Sequence, residues 1–544
     1  MRQILLAAFA LLAPIPAAAQ KVVVAPYPKP FGERIIVIAE EAELRDHADV
    51  VGTAHRGQIY QIDQTEAERF QVRWKGKCVW VARADVVPLD RALDYFTEAI
   101  RQHPTAVDYI ALGRIQKDGG ELDDALADFG QAILLEPTQA EGYDRRGCVW
   151  GAKGEVDKAM ADFDTAVRLD PKFAAAYRHR GDLFERKGDL QKAIADFNTA
   201  IQLEPTEWAG YYGRGVIWQA HGELDKAILD YTTAIKLDPR DVAAYVNRGR
   251  ASKDQGEPGR AIADYDEAIR LQPTLTEAHL CRGSTWRVVG NFDKALADYN
   301  EAIRLDPNCA WAFNNRGHLW QQDKSDFDKA IADYDEAIRL DPKLAVAYCN
   351  RGRLWQRSKG DYETAAADYN KAIQLDPKLA VAYCNRGMMW TIIGDFDKAL
   401  ADNDEALRLD PRYAWAFDCR GCLWQTKGDY QQAIANFDEA IRLDPKNVDA
   451  YCHRAWLRAR CPDRRIRDGR KAVADATTAC ELTSWKRSVS IGNLASVYAE
   501  LGEFEKAVEM QRRAIDVAPA PDKKALQTSL GLYQAGKPYR AERK

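Results

Sequence analysis

The residues with chemistry to offer recur at fixed places. Arginine stands at 146, 180, 214, 248, 282, 316, 351, 386, 420 and 454; aspartate stands at 128, 162, 196, 230, 264, 298, 333, 368 and 402, followed by Asn436. Both series advance by 34 or 35 residues. Two opposite charges kept in step indicate contact, because a guanidinium grips a carboxylate through two directed hydrogen bonds. The start of the series chooses the partner. Leu112 occupies the arginine position one period before Arg146. Pairing each aspartate with the next arginine (Asp128–Arg146, Asp162–Arg180, Asp333–Arg351, Asp402–Arg420) sets Leu112 against Tyr95, an apolar match. Pairing inside one period would set it against Asp128. The expectation is a ladder of salt bridges from each period to the next, failing only at Asp475–Leu494. The rival use, arginines lining a groove for an acidic ligand, is disfavoured by the matching acids.

Other reactive groups are sparse. Cys419 and Cys422 form Cys-x-x-Cys with no histidine directly after, which excludes covalent haem, and no second such pair exists for zinc. Cys349, Cys384 and Cys452 hold equivalent first-helix places in their periods, a spacing expected to keep them too far apart to bridge. Cys461 and Cys480 flank an irregular insert and form a candidate disulfide if that insert folds back. The count of 11 cysteines leaves at least one without an intrachain partner. Arg454–Lys471 is strongly basic and reads as a solvated capping face or a patch for an anionic partner. Metalloprotease, nucleophile-elbow, P-loop, dinucleotide and calcium-loop motifs are all missing, so no cofactor, no metal and no enzymatic activity is expected. A net charge of −5 over 544 residues argues against a nucleic-acid binder.

These residues must sit on helices. Lys329–Pro342 reads KAIADYDEAIRLDP, with Ala330, Ile331, Tyr334, Ala337 and Ile338 on one helical face. The Asp-Pro pair ends it, since proline cannot continue a helix and disfavours helical geometry in the residue before it. Close copies occupy 260–273, 294–307 and 432–445. Prolines at 104, 137, 171, 205, 239, 273, 307, 342, 377, 411 and 445 mark the period. Each period also carries a glycine (Gly113, Gly147 and so on to Gly421) and, 12 or 13 residues later, an alanine. Small residues at both places let two antiparallel helices approach closely. A period of this length means a solenoid.

The order Tyr143, Gly147, Trp150, Ala159, Phe163, Ala166, Pro171, renewed from 107 to 445, resembles the tetratricopeptide repeat. The resemblance implies a mainly α, right-handed solenoid of helix–turn–helix repeats. Twelve repeats span 107–519, the one at 449–484 being irregular; residues 90–104 match a second helix alone, and 520–544 supply a capping helix and tail. Leucine is usual in the family where this chain has the arginine series. The family binds extended peptides or helices along the concave face of its first helices. On that footing Asn247, Asn315, Asn350 and Asn385, two residues before the glycine, with Arg250, Arg353, Trp311 and Trp415, are the candidate partner-binding residues.

Residues 33–89 change period. Short β-branched runs at Arg34–Ala39, Ile59–Ile62, Phe70–Trp74 and Val79–Val81 indicate a small β-barrel. Leu44-Arg45 in a first long loop, Val51-Gly52, Arg56-Gly57 and Lys75–Val81 resemble the bacterial SH3-like domain. That implies a contact with cell-wall peptide or protein, with Trp74 and Trp80 as groove or core residues. The barrel is expected to run straight into the solenoid near Pro88–Asp90.

Arg2, the apolar run Ile4–Ala13 and Ala17-Ala18-Ala19 form a signal-peptide pattern cut after Ala19, with 20–32 as linker. The expectation is a periplasmic or secreted, non-enzymatic scaffold that binds protein or peptide partners, with no permanent membrane insertion. The alternative is a cell-envelope protein held to wall peptide through residues 33–89.

Overall fold

In the computed structural model the described residues are 34–538, apart from 47–48, 67, 75–76, 323–325, 464 and 519. The expected leader and linker, the Trp74 side chain and the last residues of the tail lie outside them. The chain divides into two compact units, one ending at Asn291 and the other beginning at Phe292.

The N-terminal unit opens with seven antiparallel strands. They are β1 (Arg34–Val37), β2 (Glu41–Asp46), β3 (Asp49–His55), β4 (Ile59–Thr65), β5 (Arg69–Trp74), β6 (Lys77–Ala82) and β7 (Val86–Pro88), in sheet order β3-β2-β6-β5-β4-β1-β7. The sheet is open, with β3 and β7 as its edges, so the expected closed barrel does not form. β7 is three residues long and passes directly into the helix Leu89–Gln102, which leaves no strand to pair with β3. Leu44-Arg45 lies in strand β2 and not in a loop. Ala42 and Leu44 point inward while Glu41, Glu43 and Arg45 point out, the two-residue alternation of a half-buried strand. One core gathers Ile35, Val37, Leu44, Phe70, Val72, Val79 and Val81. Ile36, on the opposite face of β1, packs with Ala92, Phe96, Ala111 and Leu112 and so ties the sheet to the first helices.

Helix pairs follow, each with a first helix such as Ala140–Ala152 and a second such as Val156–Leu169. Six first helices belong to the N-terminal unit, starting at Ala106, Ala140, Ala174, Trp208, Val242 and Thr276; six belong to the C-terminal unit, starting at Ala310, Ala345, Ala380, Ala414, Val448 and Ser488. Each pair closes on its glycine. A Cβ on Gly147 would lie 2.7 Å from the Phe163 ring, and one on Gly421 2.6 Å from the Phe437 ring. Any side chain there would push the two helices apart. The irregular pair solves the same problem differently: Ala455 replaces the glycine and Ala476 stands where the aromatic would be, both fully buried. Most second helices stop where an acidic or amide residue and proline arrive, as at Asp341-Pro342, with Asp341 N–H closing on Ala337 O at 2.9 Å. The last helix, Ala520–Gln534, covers its neighbour through Tyr533, which packs with Ala495, Ala499 and Ala507. No described helix is long and apolar enough to cross a membrane.

The arginine ladder is built, but inside each pair. Arg146 grips Asp162 with Nε and Nη2 at 2.9 and 2.8 Å, and Arg180 grips Asp196 at 2.8 and 2.8 Å. Arg316 holds Asp333, Arg351 holds Asp368, Arg386 holds Asp402 and Arg420 holds Asn436. The expected pairs Asp128–Arg146, Asp162–Arg180, Asp333–Arg351 and Asp402–Arg420 are therefore corrected by one period. The step between repeats exists through another residue. Arg180 Nη1 reaches Asp164 at 2.9 Å, Arg351 Nη1 reaches Asp335 at 2.6 Å and Arg420 Nη1 reaches Asp404 at 2.7 Å. Arg180, Arg351 and Arg386 thus spend two donors within their repeat and one on the repeat before, whereas Arg146 has Gly130 there and only the first contact. Leu112 does face the Asp128 position, and Oδ2 of Asp128 is buried with no hydrogen-bond partner. Burial pushes that carboxyl up to about 6, partly offset by Gln116.

Candidate functional site

Within each unit, first helices meet their neighbours along a seam. The residue three before the glycine of one repeat touches the residue two before the glycine of the next. Asn247 Nδ2 donates to Tyr212 Oη at 2.9 Å; Asn350 Nδ2 donates to Asn314 Oδ1 at 3.0 Å; Asn385 Nδ2 donates to Cys349 Sγ at 3.5 Å. Three of the four candidate asparagines are thus committed to holding repeats together. Asn350 and Asn385 are 2 and 3% exposed, too little to hydrogen-bond a peptide backbone. Asn315 is half-buried and accepts from Asn314 at 3.2 Å. Arg353 is 1% exposed, Trp415 belongs to the main core of the C-terminal unit, and Trp311 is half-buried against it. Arg250 remains half-buried, paired with Glu277. The sequence reading saw the asparagines but not their partners, because it compared equivalent positions and the seam joins non-equivalent ones.

The same offset brings together two cysteines at non-equivalent positions, a pair the sequence reading did not consider. Cys384 and Cys419 occupy adjacent repeats, yet their sulfurs lie 3.2 Å apart. Cys461 and Cys480 are both buried free thiols in separate cores, one packed with Leu457 and Cys422, the other with Ala476 and Ile491. The insert between them turns back on Arg458, whose carbonyl accepts from Asp468 N–H at 3.0 Å, and does not bring the two helix ends together. The basic stretch is largely paired: Arg454 and Arg458 with Asp475, Arg460 with Glu500, Arg465 with Asp463.

At two places the seam carries three reactive side chains. Asp144, Cys148 and His179 converge in the N-terminal unit, and Asp418, Cys422 and His453 in the C-terminal unit, with donor atoms all within 4.8 Å of one another. Nδ1 of His179 lies 2.7 Å from Asp144 Oδ1, and Nδ1 of His453 lies 2.9 Å from Asp418 Oδ1. Cys422 Sγ meets that same Nδ1 of His453 at 3.5 Å. A nucleophilic triad needs thiol and carboxylate on opposite ring nitrogens, so this is not one. Burial would lower the His179 imidazole, but Cys148 and Asp144 outweigh it and hold it at about 10. Burial drives the Cys422 thiol up to about 11 despite His453. Each aspartate is fully buried, and its Oδ2 has no hydrogen-bond partner.

The open site lies elsewhere in the N-terminal unit. A cleft of about 670 Å³ separates the sheet from the first two first-helices, lined by Glu40, Glu41, His55, Arg56, Gly57, Gln58, Val107, Ile110, Arg114, Glu141 and Arg145. Gly57, at φ +83°, brings the β3–β4 turn against Ala111, where a Cβ would sit 3.1 Å from the alanine methyl. Arg114 Nη1 donates to Gly57 O at 2.9 Å, and Arg56 Nε donates to Asp108 Oδ1 at 2.6 Å. Burial lowers the Arg114 guanidinium to about 10, with Arg145 adding to the effect. On the sheet itself Arg69 stacks over Trp80 at 4.3 Å, so that indole is a partly covered surface residue and no core filler.

Family models agree with this architecture. Models described as TPR repeat match residues 219–256, 289–323, 322–357, 356–388 and 426–458, and models described as tetratricopeptide repeat match 146–212, 242–275, 380–413 and 490–521. Together they cover more than half of the chain, which belongs to the tetratricopeptide repeat family. Among solved structures, yeast Tom70 aligns at 17% identity over 79% of this chain and 96% of its own, with a TM-score of 0.40. The Cut9–Hcn1 hetero-tetramer of APC/C aligns at 13% identity over 82 and 93%, with a TM-score of 0.49. A tetratricopeptide repeat protein from Parabacteroides merdae aligns at 21% over 46 and 98%, with a TM-score of 0.41. No curated protein matches. Proteins of this family generally act as scaffolds in protein–protein interactions.

Proposed function

We propose that the chain is an exported, non-enzymatic scaffold that holds a short peptide segment of its partner in the cleft beneath the sheet. The carrying observation is the cleft's mixed lining. Glu40, Glu41, Arg114 and the Glu141–Arg145 ion pair supply charges of both signs, beside apolar Val107 and Ile110. Such a lining suits a segment bearing both an amine and a carboxylate, and the seam of first helices offers less, since its polar groups are already used. The test places a photocrosslinking residue at Gln58 in the full chain, with Lys446 as an exposed control. Crosslinking at Gln58 that Glu41→Arg with Arg145→Glu abolishes is the expected result. Equal yields from both positions, untouched by the charge reversal, would reject the cleft.

The same lining favours a second reading, in which the partner is cell-wall peptide and the open sheet serves as an SH3-like module. Purified wall should then retain the full chain and release the charge-reversed variant. Amino-terminal sequencing of protein recovered from the envelope is expected to begin at Gln20.

A further inference from the structure

Among the twelve repeats, aspartate stands three before the helix-packing glycine only at 144 and 418. Cysteine follows that glycine only at 148 and 422, and histidine stands two before it (or before Ala455) only at 179 and 453. Three rare choices therefore occur together, twice, and nowhere singly. A buried Asp–His ion pair accounts for two of them but leaves the cysteine unexplained.

We propose that Asp144–Cys148–His179 and Asp418–Cys422–His453 are two equivalent sites for a divalent zinc-type ion, each stapling one first helix to the next. A thiolate, an imidazole and a carboxylate are donors that zinc accepts in tetrahedral geometry, at about 2.3 Å for sulfur and about 2.0–2.2 Å for nitrogen and oxygen. Those lengths put donors about 3.2–3.6 Å apart along the edges of the tetrahedron. The observed 3.5 Å between Cys422 Sγ and His453 Nδ1 fits, and the 2.9 Å between Asp418 Oδ1 and the same nitrogen needs only a small opening. Each pair of ligands on one helix is four residues apart, so aspartate and cysteine share a face, while the histidine comes from the neighbouring repeat. Soft thiolate in the set selects against magnesium and calcium. Three protein ligands leave a fourth position for water or for an external group.

The test loads the full chain with cobalt(II), whose thiolate complexes absorb in the near ultraviolet, and with zinc for elemental analysis after dialysis. Two zinc ions per chain and a cobalt–thiolate band are expected, with one ion lost in Cys148→Ser, one in Cys422→Ser and both in the double variant. Absence of the band, or a band that survives the double substitution, overturns the assignment. A readout free of variants uses alkylation of Cys148, which is partly exposed. Zinc, and not magnesium, should protect it, and an unchanged rate overturns the proposal even if the variants do not fold.

Discussion

Asp128 shows what one missing arginine does. Its counterparts are gripped by a guanidinium, whereas it meets Leu112 and retains only Gln116. A carboxyl raised from 3.8 to about 6 binds its proton more tightly folded than unfolded. Its effect is therefore neutral below the unfolded value and turns unfavourable as pH rises through about 6. Asp128→Asn is expected to stabilise the protein at pH 7.5, by about 1 kcal/mol after allowing for the group's partial exposure. At pH 3, below the unfolded value, it should change nothing; thermal melts at the two pH values check this. Elsewhere in the ladder the aspartate depends on its own repeat. Removing Arg316 strands Asp333, at 6% exposure, and is expected to cost about 3–5 kcal/mol. A double-mutant cycle should give about 1–3 kcal/mol of coupling for Arg316 with Asp333 and near zero for Arg351 with Asp333. The reverse ranking would reinstate the pairing suggested by the sequence.

At the scale of the helix pair, the glycine is only as strict as the ring it faces. Gly421 confronts Phe437, and Gly387 confronts Asn403, whose Oδ1 would lie 3.1 Å from a new Cβ. Gly421→Ala is expected to cost about 1–3 kcal/mol through overpacking, and Gly387→Ala clearly less; urea unfolding midpoints compare them. The seam makes a redox statement of its own. Mild oxidation should join Cys384 to Cys419 and leave Cys461 and Cys480 as thiols, which peptide mapping under non-reducing conditions reads directly. Much of this scale was legible beforehand. Periodic proline, glycine and alanine place every helix, because they report backbone stops and close approach, which are local. Side-chain pairing is less local. The ladder was misassigned by counting mismatches, and the count overlooked that Leu494 has Met510 opposite it within its own repeat, an apolar pair seen in the core. It also assumed that a carboxylate such as Asp128 could not stand alone, whereas partial exposure and a protonatable oxygen let it do so.

At the scale of the molecule, the described chain is one theme edited repeat by repeat. The N-terminal unit carries a sheet on its first repeats, and β2 and β3 escaped the sequence reading because β2 alternates in Glu, Ala, Leu and Arg without a β-branched residue and β3 buries only Ala54, so it shows no alternation. The cleft was not legible at all, since its walls come from residues 40–58 and 107–145, a separation that no local pattern reports. What the repeats share sets their shape, and what they do not share is concentrated on the seam.

The seam has a consequence for assembly of the array. Because position three before the glycine meets position two before the next, each repeat presents one half of a contact and accepts the other, so repeats carry addresses. Excising residues 345–379 would bring Asn314 opposite Asn385, amide to amide, as Asn314 already stands to Asn350. Excising 140–173 would set the apolar Ile110 against His179, which now has Asp144. The first deletion is expected to unfold in one cooperative transition and the second to lose that cooperativity, as circular-dichroism melts would show. A repeat array of this kind grows by duplication only where the new neighbours can read each other.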